Sequence, residues 1–157
     1  MAISTDTVIE FFGTQDLVTS TAVGSLTSSA FATTVAAVNW TNDDDAPEAA
    51  FVFIGTWSSA PTVRAPVYLY ARQMAIGAGT TDMTQPSSIN KEHLLASFFI
   101  STSTAVQIKT ARAFLPNLEA SQVYQFFLEN QAGGILSSDY TVHITPLTKG
   151  PNPAGGS

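Results

Sequence analysis

Apolar and polar residues alternate with a period of two along much of the chain. Val67, Leu69 and Ala71 share one face of such a segment, and residues 106–110 and 140–145 alternate in the same way. This period is typical of β-strands with one buried face, whereas helices repeat every 3.6 residues. The pattern therefore predicts an all-β protein.

Two further segments have the length and composition of strands. Residues 123–129 are rich in aromatics, and their alternation predicts that Phe126 and Leu128 face the core. Residues Phe51–Ile54 are a continuous apolar run. Such a run is typical of a strand buried on both of its faces, and we expect that here.

Turn-forming residues separate these strands. Breaks rich in Gly, Pro, Asn, Asp and Ser lie at residues 42–47, 58–61, 77–88 and 130–134. We expect the last of them to close a hairpin between the two strongest C-terminal strands. The sequence leaves room for one or two helical turns at most, near residues 88–95 and 116–121.

This spacing of strands and turns predicts one antiparallel β-sandwich, jelly-roll-like, over residues 46–149. Residues 1–45 are acidic and rich in Ser, Thr and Ala, and we interpret them as an extended N-terminal arm with one or two strands, one of them near Phe31. Residues 150–157 are rich in Pro and Gly and predict a short flexible tail.

The charge distribution excludes two classes of partner. The net charge is −6, and the first 63 residues contain seven acids and no base. A nucleic-acid-binding protein needs clustered Lys and Arg, which six bases in 157 residues do not supply. The acidic segment would also be repelled by anionic membranes, and no stretch of about 20 apolar residues occurs. We therefore expect no nucleic-acid or membrane partner.

Residues that could perform catalysis or hold a cofactor are few. The chain has no cysteine and two histidines, His93 and His143, and it contains neither a nucleophile-elbow motif nor a zinc-protease motif. The acids 43–45 are interpreted as a solvated turn, with calcium binding as the weaker alternative. Glu119, Glu129 and Asp139 are expected to be solvated at strand ends. The sequence predicts no catalytic residue, metal or cofactor, and hence a protein that is not an enzyme.

The apolar residues of the arm are candidates for contact with a partner. They are Ile3, Val8, Ile9, Phe11 and Phe12. A low-complexity stretch separates them from the main block of strands, and a free arm carrying two phenylalanines would promote aggregation. We therefore expect the arm to dock on a neighbouring protein molecule.

The remaining aromatics leave an alternative open. If exposed, they could stack on sugars; they are Trp40, Trp57, Tyr68, Tyr70, Tyr124 and Tyr140. That would suit a carbohydrate- or receptor-binding module. Aromatics in strands more often belong to the core or an interface.

Four segments resemble small virion structural proteins of tailed bacteriophages. They are Tyr68–Arg72, His93–Phe98, Tyr124–Val142 and Ile144–Pro146. In that group an aromatic strand is followed by a glycine-containing turn, a Leu-Ser step and a final strand. The resemblance extends over about residues 50–149 and consists of packing and turn patterns without chemical motifs. Tyr140 stands where the group usually has a tryptophan.

The resemblance implies a protein that decorates and cements a phage capsid by bridging neighbouring major-capsid subunits, as a homotrimer. The alternative within the same setting is a carbohydrate- or receptor-binding module of the phage tail. The N-terminal residues predict no signal peptide and the sequence has no cysteine, so we expect assembly in the host cytoplasm, followed by residence on the virion surface.

Overall fold

The structure, a computed structural model, describes residues 8–18, 24–32, 39–74, 94–115 and 121–151. These ranges contain strands and no helix, which confirms the all-β prediction. The strands are β1 (Val8–Phe12), β2 (Asp16–Leu17), β3 (Ala30–Phe31), β4 (Trp40–Thr41), β5 (Glu48–Gly55), β6 (Pro66–Met74), β7 (Leu94–Phe99), β8 (Gln107–Phe114), β9 (Val123–Asn130) and β10 (Thr141–Pro151).

The strands form two antiparallel sheets that pack face to face as a β-sandwich, as predicted. The first sheet has the order β1-β10-β5-β8, with β2 also paired to β10. The second has the order β3-β9-β6-β7, with β4 also paired to β9. Both sheets are open, so β8 and β7 are edge strands on one side of the sandwich.

The core lies between the sheets and follows the predicted alternation. Val67, Leu69 and Ala71 of β6 face it, as do Phe126 and Leu128 of β9, which confirms the predicted faces. Aromatic rings join the two layers, because Phe51 of the first sheet meets Phe126 of the second edge-on, with 5.7 Å between ring centroids. Such edge-to-face pairs add to the stabilisation from burial alone.

The prediction that Phe51–Ile54 is buried on both faces is wrong. Phe51 and Phe53 are fully buried in the core, but Val52 and Ile54 lie on the outer face of the first sheet and are half-buried. An uninterrupted apolar run indicates a strand. It does not indicate that a second layer covers the strand's other face.

The predicted hairpin at residues 130–134 is also wrong, because β9 and β10 belong to different sheets. The chain crosses the sandwich here and continues through Leu136, which forms bridges to Leu26 and Trp57. Gly133 has a φ of 79°, and a Cβ at this residue would lie 2.4 Å from Thr62 Oγ1. Only glycine fits both requirements.

Buried Asn130 holds this crossing in place. Its Nδ2 donates hydrogen bonds to the carbonyls of Leu26 and Gly134, each 2.8 Å long, and its Oδ1 accepts one from the Ala132 amide. Three bonds of one side chain thus tie together backbone groups of the crossing, and the Leu26 carbonyl also accepts a bond from the Leu136 amide.

The segment predicted as an arm contributes short strands to both sheets. β1 and β2 pair with β10, and β3 and β4 pair with β9. Phe31, where the sequence predicts a strand, lies in β3. β10 extends to Pro151, opposite Val8. The predicted helical turns fall largely on residues 88–93 and 116–120, which are outside the described residues. In the part of the chain that the structure describes, no helix has the length and hydropathy to cross a membrane.

Candidate functional site

The predicted contact residues of the arm have different positions in the structure. Ile3 lies outside the described residues. Val8 and Ile9 belong to β1, where their backbones are opposite Pro151 and Gly150 of β10. Phe11 and Phe12 follow in the same strand, with 40% and 67% of their surfaces exposed. Docking of this segment on a neighbouring subunit stays a prediction.

Phe12 lies at one end of a row that crosses the first sheet. From strand to strand the row is Phe12, Leu147, Glu48 and Phe114, each directly opposite the next. In β5, Ala49, Phe51 and Phe53 face the core, so Glu48 and the rest of this row lie on the outer face of the sheet. Phe12 and Phe114 are 67% and 75% exposed, so a large aromatic ring projects at each end of the row. The sequence identified Phe12 and missed Phe114, because alternation alone does not show which face of an edge strand is solvated.

Four charged side chains lie together on the same outer face. Lys149 Nζ donates a 2.8 Å hydrogen bond to Glu48 Oε1, and Arg112 Nη2 donates one of 3.0 Å to Glu48 Oε2. Arg112 also donates to Glu10. The bond from Lys149 lowers the pKa of Glu48, and the bond to Glu10 raises the pKa of Arg112. The four charges cancel, so this part of the face is neutral although the chain carries −6.

Further apolar side chains are exposed on this outer face. Ile108 of β8 is 62% exposed, Leu17 of β2 is 40% exposed, and Val52 and Ile54 are half-buried between them. We name the outer face of the first sheet, with its row from Phe12 to Phe114, the docking face. It combines exposed apolar groups with charges that already have partners. Covering this surface would remove water from the ion pairs, a cost that the attraction within each pair offsets in part.

The aromatics that the carbohydrate-binding alternative requires are mostly buried. Five of the six are at most 7% exposed: Trp40, Trp57, Tyr70, Tyr124 and Tyr140. Tyr68 is half-buried. Side chains covered to this extent cannot stack against a sugar ring, and most of them pack against other rings instead.

Glu129 corrects the expectation of a solvated acid. It is 1% exposed on the outer face of the second sheet. Its Oε2 accepts a 2.7 Å hydrogen bond from the Tyr70 hydroxyl, and its Oε1 accepts one of 2.6 Å from Gln131 Nε2. The sequence places Glu129 near the end of a strand, where an acid is usually solvated. In the structure β3 pairs with β9 at Glu129, so this residue does not lie at an edge of the sheet.

The remaining candidate residues are the two histidines and the acids of residues 43–45. His143 is half-buried on the docking face, opposite the core residues Val142 and Ile144, and His93 lies outside the described residues. Acids of the 43–45 turn meet β2 in a cleft of about 200 Å³ lined by Thr14, Asp16, Trp40, Thr41, Asp43, Asp44 and Pro146. No group of three or more His, Cys, Asp or Glu residues among those described could hold a metal ion.

The cleft has a structural role. Trp40 Nε1 donates a 3.0 Å hydrogen bond to Asp16 Oδ2, which ties β4 of the second sheet to β2 of the first. Asn42 makes two 2.9 Å bonds with the backbone of Ala46 across the acidic turn, and Asp45 accepts a bond from the Ser121 amide. These contacts give Asp16, Asn42 and Asp45 a structural role at this end of the sandwich.

No protein-family model matches the chain, and no curated protein is significantly similar to it.

Proposed function

We propose that this chain is a non-enzymatic structural protein of a phage virion, which decorates the capsid and cements neighbouring major-capsid subunits. The observation that carries the proposal is the docking face, a broad neutral surface with Phe12 and Phe114 exposed at its two ends. The resemblance of residues 50–149 to small phage virion proteins supplies the identity of the partner. The β-sandwich is the fold that this resemblance implies.

The size of the docking face suits many weak contacts better than one strong contact. Strands are ~4.8 Å apart and rise ~3.3 Å per residue, so a sheet four strands wide and eight residues long covers roughly 500 Å². Both partners together would bury about 1,000 Å², near the lower limit for a specific interface. On a symmetric shell, repetition of such contacts yields avidity.

The physical role follows from linkage. Contacts that exist only in the assembled shell stabilise the shell over its free subunits by mass action. The exposed apolar side chains of the docking face, Phe12 and Phe114 above all, would supply these contacts.

Two measurements test the proposal. In purified virions of the phage that encodes the chain, we expect hundreds of copies per particle, and a handful would contradict a decorating role. Purified capsids lacking the protein should bind the recombinant chain to saturation.

A pair of matched variants tests whether the docking face carries this binding. Phe12→Ser should reduce the binding, whereas Val63→Ser should not. Val63 is a matched control because it is 64% exposed and lies outside the docking face.

The carbohydrate-binding alternative depends on exposed aromatics, and the burial of five of the six named above removes its support. No binding of the chain to a glycan array is therefore expected. Strong, saturable binding to one glycan class would favour the alternative.

A further inference from the structure

β8, which is eight residues long, is an edge strand of the first sheet, and it lies beside β7, an edge strand of the second sheet. Among the described strands of that sheet β8 pairs only with β5, through the register from Glu48–Phe114 to Gly55–Gln107. Half of its backbone N–H and C=O groups therefore point away from the sheet. Ile108, Thr110, Arg112 and Phe114 are all exposed on its outer side. Long edge strands with exposed apolar side chains are templates for pairing with another strand.

We propose that β8 pairs antiparallel with β8 of a second copy of this chain, about a twofold axis through Ala111. Such an axis, perpendicular to the sheet, keeps the outer faces of both copies on the same side. Ile108 of each copy then lies opposite Phe114 of the other. These are the two large apolar side chains of the strand, 62% and 75% exposed, and they are equidistant in sequence from Ala111.

The charges of β8 are compatible with this register. Arg112 lies opposite Thr110 of the second copy, and Lys109 lies opposite Ala113, so no like charges are directly opposed. Neighbouring registers are worse. An axis through Arg112 opposes the two arginines to each other, and an axis through Thr110 places Ile108 opposite Arg112. Cross-strand pairs of an aromatic with a β-branched residue stabilise a sheet, whereas opposed like charges destabilise it.

Pairing through β8 joins the two docking faces into one continuous surface, twice as wide, with Phe12 at each far end. It predicts a dimer in place of the homotrimer that the resemblance implies. The proposal does not depend on capsid binding, because the pairing is a property of the isolated chain.

Sedimentation equilibrium of the full-length protein, from low micromolar concentration to about 100 µM, tests the proposal. The expected species has twice the 16.6 kDa mass of the chain. Thr110 is exposed and lies opposite Arg112 of the second copy, so the sign of a charge placed there reports the register. Thr110→Lys should weaken dimerisation roughly tenfold, and Thr110→Glu should strengthen it by a similar factor.

Thr141→Lys and Thr141→Glu are the matched controls. Thr141 lies on the same outer face at the start of β10, two strands away from the edge. These variants should leave the dimer unchanged, and thermal unfolding should show that all four variants are folded. The proposal is overturned by a wild-type monomer or trimer throughout the concentration range, by Thr110 variants that do not shift in opposite directions, or by equal effects at Thr141.

Discussion

The hydroxyl of Tyr70 donates a 2.7 Å hydrogen bond to the carboxylate of Glu129, and both side chains are 1% exposed although they project from the outer face of the second sheet. Phe31 explains part of this burial, because its ring lies 5.5 Å from that of Tyr70 and its backbone is opposite Glu129. A buried carboxylate is costly unless donors surround it. The bond from Tyr70 is therefore a structural requirement of this face.

The first prediction concerns the loss of that donor. Tyr70→Phe keeps the ring but removes a hydrogen bond to a buried acid, so we expect the free energy of unfolding to fall by about 1–3 kcal/mol. Urea denaturation followed by intrinsic fluorescence would measure the change.

Tyr140→Phe is the matched control for this prediction. Tyr140 is also 1% exposed, but its hydroxyl has no hydrogen-bonding partner in the described ranges. Removing an unsatisfied buried hydroxyl should be neutral or stabilising. Equal destabilisation by the two substitutions would show that ring packing dominates and that the bond to Glu129 contributes little.

The second prediction concerns alkaline pH. Burial raises the pKa of Tyr140 to about 12, and burial together with the bond to Glu129 also raises the pKa of Tyr70. In the unfolded chain both phenols ionise near pH 10. Stability should therefore be independent of these groups below pH ~10 and fall above it by about 1.4 kcal/mol per pH unit for each tyrosine, because the unfolded state releases the protons first.

Urea midpoints measured between neutral pH and pH ~11 would test this dependence. Tyr140→Phe should make the decline less steep, since one of the two protons is no longer linked to unfolding. The same slope in the variant and the wild type would mean that Tyr140 ionises equally in both states.

The third prediction concerns the core. Phe126 is 2% exposed and lies 5.7 Å from the ring of Phe51 in the opposite sheet. Phe126→Ala should cost about 3–5 kcal/mol. That is a large part of the ~5–15 kcal/mol that stabilises a typical domain, so low expression is expected as well.

Phe99→Ala is the control for the core prediction, because Phe99 is 62% exposed in the edge strand β7. Its effect on the denaturant midpoint should be small. A comparable loss at both residues would indicate that the outer surface of β7 is covered in solution.

The sequence predicted the strands and the inward residues well, because both depend on local alternation. Val67, Leu69 and Phe126 face the core where the period of two places them. Alternation carries no information on what covers the other face. That is why Glu129 is buried where a solvated acid was expected, and why Ile54 is only half-buried.

Pairing between strands that are far apart in the sequence also could not be predicted from the sequence. The turn at residues 130–134 has the composition of a hairpin, yet its flanking strands pair with partners far away in sequence. The docking face likewise joins Glu10, Glu48, Arg112 and Lys149 from four strands, a combination that no short motif encodes. Only Phe12 of this face was identified from the sequence, through its position in the arm.

The final prediction concerns that arm. Deletion of residues 1–14 removes β1 and with it Phe12 and Glu10, while the described core cluster begins at Val18. We therefore expect the truncated chain to keep its β-sheet circular dichroism spectrum and a cooperative thermal transition. Its binding to capsids that lack the protein should be lost or greatly reduced, because one aromatic end of the docking face is missing and Arg112 has lost one of its two acidic partners.

Salt provides an independent check of the arm prediction. If the acidic segment of residues 1–63 meets a basic patch on the capsid, occupancy by the full-length chain should fall as ionic strength rises. The single substitution Phe12→Ser should weaken binding but retain this salt dependence, since it changes no charge. A truncated chain that folds and still saturates capsids at the wild-type concentration would exclude the arm from the interface.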